Sequence, residues 1–97
     1  MPRSRIERIR EKIRLREYDM TNHAMDEMTE DGLDIIDTEN AVLTGRISRP
    51  EKDDPRGTKY VIEGVAADGI TPVGVVGRFT SHGRYLIITV YKISNGE

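Results

Sequence analysis

The chain has no cysteine, no tryptophan, one phenylalanine and four tyrosines among its 97 residues. Without cysteine it can form neither disulfides nor thiolate metal sites, and a reducing, cytoplasmic location is expected. It lacks an apolar run long enough to cross a bilayer, and its basic N-terminus lacks the apolar stretch of a signal peptide, so no membrane role is expected. Internal repeats, linkers and low-complexity tracts are also missing. The acids Asp26, Glu27, Glu30 and Asp31 do not have the spacing of an oxygen-ligand loop, so neither metal nor cofactor is expected. Gly74 and Gly77 lie in a strand pattern with no helix behind them, which excludes a phosphate-binding loop.

What is present is charge, unevenly spread. Charged residues make up 33% of the chain against 36% hydrophobic, yet the apolar positions are periodic, as a folded domain requires. The net charge of −2 hides three zones. Residues 1–17 carry seven Lys/Arg against three Glu, residues 18–45 carry eight acids and no Lys or Arg, and residues 46–97 carry eight bases against six acids. Any contact with a polyanion should therefore be local. The length suits a single domain, 1–97, with one modest core.

Ser4 is placed to cap a basic amphipathic helix over 1–17, centred on about residues 5–17. Its stripe Ile6, Ile9, Ile13 would dock on the domain itself or on a twin, making a homodimer. Thr21 or Asn22 caps a second helix, about 22–31, which Gly32 ends. A third runs over about 34–44, with Asp34 at its start and Gly45 at its end. The period then changes. Arg46–Arg49, Thr58–Ala66, Thr71–Phe79 and Tyr85–Ile93 read as strands, with a charged loop over Pro50–Gly57. The expected fold is α+β, with N-terminal helices packed on one face of a curved antiparallel four-stranded sheet.

Turn signals set registers. Asp68-Gly69 as a two-residue hairpin puts Ile62 opposite Val75 and Lys59 opposite Arg78. A four-residue loop at 80–83 puts Phe79 opposite Arg84 and Arg78 opposite Tyr85. One face then collects Tyr60, Ile62, Val73, Val75, Phe79, Leu86, Ile88 and Val90. The other collects Lys59, Val61, Glu63, Val76, Arg78, Tyr85, Ile87, Thr89 and Tyr91. A one-residue slip would put Arg78 beside Leu86, and the core argues against that slip. Lys59, Arg78 and Tyr85 should form a row across three strands, with Glu63 or a phosphate between the cations.

The motif Thr21-Asn22-His23-Ala24, then Met28 and Gly32-Leu33, the helix end Leu43-Thr44-Gly45 and the strand Ile87-Ile88-Thr89-Val90-Tyr91 resemble domain of unknown function family 4258 over about residues 19–93. That family resembles the RelE/ParE-like toxins of toxin–antitoxin pairs. The resemblance implies a RelE-like core at 19–93 and a toxin-like, RNA-interacting protein, with metal-free endoribonuclease as its reaction. It also implies RNA or a ribosome as target and an antitoxin protein as partner. The alternative is a non-catalytic interaction module, or a homodimer, on the same fold. The pattern departs at Asp31, where the family often carries Arg.

Metal-free RNA cleavage needs a base, an acid and cations for the charge growing on phosphorus. Under the toxin-like reading His23, Arg78 and Tyr91 are the catalytic candidates, and Lys59 and Tyr85 would bind the substrate. A histidine is a common general acid or base, which makes His23 the candidate for that role, and Arg78 is the better bidentate clamp. The blander reading makes His23 a residue that serves its own helix start, and makes the cations a solvated sheet face. His82, beside Gly83, reads as a loop residue.

Overall fold

A computed structural model describes residues 3–52 and 55–94. The elements are α1 (Arg5–Arg14), β1 (Tyr18–Met20), α2 (Asn22–Glu30), α3 (Ile35–Thr44), β2 (Arg46–Glu51), β3 (Lys59–Val65), β4 (Pro72–Phe79) and β5 (Tyr85–Lys92). They form a three-helix α+β fold on an open sheet ordered β1-β5-β4-β3-β2. The sheet has five strands and is mixed, because β1 pairs parallel with β5. The four-stranded antiparallel expectation missed β1. Three residues are too few to show an alternating pattern, and β1 is defined by its pairing with residues far along the chain. Asp53 and Asp54, within the expected Pro50–Gly57 loop, lie outside the described residues.

The helix starts follow their caps. Ser4 accepts from the Glu7 N–H at 3.3 Å, and Thr21 accepts from the Ala24 N–H at 3.0 Å. Asp34 and Asp37 form a reciprocal capping box at the start of α3. Thr21 also donates to the Ile88 carbonyl at 3.2 Å, so one hydroxyl both starts α2 and ties it to the sheet.

One face of the sheet carries the core. Ile9, Ile13, Ala24, Leu33, Ala41 and Val42 of the helical layer pack with Tyr60, Ile62, Val73, Val75, Tyr85, Ile87 and Val90. The Ile6/Ile9/Ile13 stripe is thus used inside the chain: Ile9 and Ile13 are buried and Ile6 packs against the same cluster. Close approach of α3 to β3 depends on Gly64, where an added Cβ would sit 2.8 Å from the Ala41 carbonyl carbon.

The first hairpin keeps the expected register, with Ile62 opposite Val75. Its turn is wider than the two-residue form. Ala66 donates to Thr71 at 2.9 Å, and the Asp68 carboxylate closes the loop by accepting from the Ile70 and Thr71 N–H groups at 2.8 and 2.9 Å. Those bonds, with one from the Thr71 hydroxyl, hold the Asp68 carboxyl down at about 2.

The second hairpin departs from expectation in two steps. Thr80 pairs with Arg84, leaving a three-residue loop that ends at Gly83 with φ +80°. Phe79 therefore faces Tyr85, and Arg78 faces Leu86. A β-bulge follows, so that Gly77 faces Ile87 but Val76 faces Thr89. Ile88 is the extra residue. The bulge restores Val90 to the core side, which is why the slip does not spoil the core as the unbulged register would. Tyr85 and Ile87 move to the helix-covered face, and Leu86 leaves it.

Candidate functional site

The face opposite the helices is uncovered and has a definite composition. Along it lie Arg46, Arg49 and Glu51 of β2, Lys59, Val61 and Glu63 of β3, Gly74, Val76 and Arg78 of β4, and Leu86, Thr89 and Tyr91 of β5. Four cations stand against two carboxylates, which makes a local basic patch on an acidic chain.

Its centre is dry although the face is open. Val61 is 1% exposed, yet it lies outside the core cluster on the other side. Cross-strand it sits between Arg49 and Val76. Lys59, Glu51, Glu63, Arg78 and Gly74, with the Tyr91 ring over it, also neighbour it on this face, where long side-chain stems and a ring can shield it. Arg78 is the telling member. Its Nε is buried and has no hydrogen-bond partner, and the guanidinium makes no ion pair among the described residues. Lys59, one position beyond the Tyr60–Gly77 pair and so beside Arg78, has only a loose contact with Glu51 at 4.0 Å. Glu63, expected to balance Arg78, forms no ion pair with it among the described residues, since it lies opposite Gly74.

Tyr91 joins this face further along. It lies opposite Gly74, and a Cβ at Gly74 would sit 2.6 Å from the Tyr91 hydroxyl oxygen. The glycine lets the ring lie across β4. Gly74 and Arg78 are four residues apart on one strand, roughly 13 Å, so Tyr91 and Arg78 share a surface but not a hydrogen-bonding site.

Tyr85 is not in the expected row. It is 0% exposed on the helix side, with its ring edge-on to Phe79 at 5.2 Å. Its hydroxyl is buried without a partner, and burial alone pushes its pKa far up. As folded it cannot touch a substrate outside the sheet.

His23 stands elsewhere again. It projects from the first turn of α2, is 68% exposed, and places Nε2 3.3 Å from Glu27 Oε1. Glu27 in turn accepts from the Val90 N–H at 3.4 Å, and Asp31 accepts from the Lys92 N–H at 2.8 Å. Beyond β1 the outer edge of β5 has no strand partner, and these two carboxylates cover it. His23 is therefore attached to an edge-capping device and touches neither Arg78 nor Tyr91. Asp31, as an acceptor for that N–H, has structural work that an arginine could not do.

Two features escaped the sequence reading. Arg84 binds Asp19 in a bidentate pair at 2.8 and 3.2 Å, tying β5 to β1 and holding the Asp19 carboxyl below its ordinary value. This pair became visible only with β1. The contribution of Arg46 and Arg49 to the open face follows from the β2–β3 pairing, and simple alternation along β2 would have missed Arg49 because a bulge intervenes. Among the described residues no group of acids and histidines could hold a metal ion, and no helix is long and apolar enough to cross a membrane.

Comparison with known proteins returned no match among curated proteins and none among solved structures. A family model does match, from the start of the α2 motif to the end of β5. Several residues of that motif have a role in the geometry above: Thr21 caps, Ala24 and Leu33 are buried, and Tyr91 lies over Gly74. With residues 20–92 matched, the chain belongs to the family described as domain of unknown function (DUF4258).

Proposed function

We propose that this protein is a toxin-like RNA-interacting protein that grips the RNA backbone on the open face of its sheet. The observation that carries the reading is Arg78, a guanidinium with a buried, unpartnered Nε beside Lys59. A buried donor without an acceptor costs stability, roughly 1–3 kcal/mol for a neutral group and more for a charged one. The terminal nitrogens of the same guanidinium are not buried, and a phosphate oxygen would accept from them, with Arg46, Arg49 and Lys59 extending the contact along a strand of nucleic acid. Tyr91 supplies an aromatic surface on the same face for a base.

The reading favours binding over cleavage. His23 is engaged with Glu27 at the β5 edge, and no general base lies within hydrogen-bond reach of Arg78 among the described residues. Endoribonuclease activity with His23, Arg78 and Tyr91 remains the reaction to assay, and the non-catalytic interaction module is the reading this separation favours. An antitoxin-like partner would compete for the same basic face.

The test is binding and cleavage on one RNA. Labelled single-stranded RNA should bind the wild type and lose affinity with Arg78→Met and with Lys59→Ala. Substitution His23→Ala should leave binding unchanged. Cleavage abolished by His23→Ala would restore the enzymatic reading, and absence of RNA binding at low salt would end the RNA reading altogether.

A further inference from the structure

On the helix side of the sheet, between the start of α1 and the ends of β2 and β3, lies a cleft of about 530 Å³. Arg5, Ile47, Pro50, Lys52, Thr58 and Tyr60 line it. None of the family-motif residues is among them, and the sheet-face reading does not use it.

Among the described residues the lining has two cations and no carboxylate. Arg5 is held in place twice: Nη1 donates to the Tyr60 hydroxyl, and the guanidinium carbon lies 5.3 Å from the Tyr60 ring centroid. Its other N–H groups have no partner among the described residues. Lys52 likewise has no ion pair there. One fixed planar fork and one mobile point charge are the pair of donors that a phosphate group accepts from. Ile47 and Pro50 add an apolar wall, and the volume falls within the range of small-molecule sites. An acidic peptide is the less suitable occupant. To lie in the cleft it would extend β2 at its free edge, and β2 is blunted there by Pro50 and by the bulge between Ile47 and Arg49.

We propose that this cleft binds a nucleoside 5′-monophosphate, with its phosphate between Arg5 and Lys52 and its base against Ile47 and Pro50. Arg5, already pinned on Tyr60, loses little freedom on binding, and Lys52 closes over the phosphate. The Thr58 hydroxyl is placed to bond the ribose or phosphate.

Titration of the ¹⁵N-labelled protein with adenosine 5′-monophosphate, followed by amide shifts, tests this. Shifts should centre on Ile47, Thr58 and Tyr60 and saturate in the millimolar range or below. Adenosine and inorganic phosphate should each bind at least about tenfold more weakly, since each keeps only part of the contact. Lys52→Glu, an exposed change that leaves the fold intact, should weaken the nucleotide about tenfold or more. Arg78→Met should leave it unchanged, which separates this site from the sheet face. No shifts at millimolar nucleotide would overturn the proposal, as would phosphate binding as tightly as the nucleotide. Insensitivity to Lys52→Glu, or an acidic peptide shifting these amides where the nucleotide does not, would do the same.

Discussion

Replacing Arg78 by methionine should make the protein more stable, and the reason can be worked from its surroundings. Arg78 buries its Nε without a partner, at a cost of roughly 1–3 kcal/mol or more. Methionine keeps an unbranched stem over Val61, so the cover on that buried residue survives. What is lost is the weak attraction of the guanidinium to Glu51 and Glu63 across solvent, about 0–1 kcal/mol. The balance favours the variant by about 1 kcal/mol, or about 4–8 °C in Tm for a domain of this size. Thermal and urea unfolding followed by circular dichroism would measure it. Arg78→Ala should gain less, because it uncovers Val61. A Tm for Arg78→Met below that of the wild type would refute the reasoning, since it would mean that the guanidinium has a stabilising partner in the folded chain.

Other expectations follow from the same geometry. Gly74→Ala should destabilise by about 1–3 kcal/mol through collision with the Tyr91 ring, and should be near neutral in a Tyr91→Ala background; equal costs in both backgrounds would place Tyr91 elsewhere. Tyr85 has its pKa raised by burial, so the stability it contributes is complete below the ordinary tyrosine value of 10.0 and is lost as pH climbs above it. Tyr85→Phe removes that loss and a buried unpartnered hydroxyl, and should raise the alkaline unfolding midpoint in a pH titration monitored by circular dichroism. Ile9→Ala should cost about 2–5 kcal/mol because Ile9 is fully buried, and urea unfolding should show no dependence of that cost on protein concentration if the stripe serves the chain's own core.

The legible parts of this fold were those with local causes. Caps at Ser4, Thr21 and Asp34 mark the three helix starts by hydrogen bonds made within one turn, and the first hairpin follows from Asp68-Gly69. The illegible parts were those decided at a distance. β1 exists because Tyr18–Met20 lies beside Tyr85–Ile87, and no pattern within three residues can announce that. In the second hairpin one residue separated a three-residue loop from a four-residue one, and the Ile88 bulge added another. The loop length alone turned Tyr85 from the open face to the core, and the bulge then returned Thr89 and Tyr91 to the open face. Arg78 and Lys59 were placed on the open face correctly because their alternation was counted from the first hairpin, and Tyr91 because the one-residue errors of loop and bulge cancel beyond Ile88. His23 looked chemical in isolation, but its surroundings depend on α2 lying along the β5 edge, which only the tertiary structure reveals.

The central claim is that the open sheet face holds RNA phosphates through Arg78. Fluorescence anisotropy of a labelled single-stranded RNA, measured across a salt series, tests it most directly. With two to four phosphates engaged, log K should fall against log salt with a slope of roughly −1.4 to −2.8, and Arg78→Met should reduce that slope by about 0.7 along with the affinity. Wild type and Arg78→Met binding with the same affinity and slope, or no binding at low salt, would contradict the account.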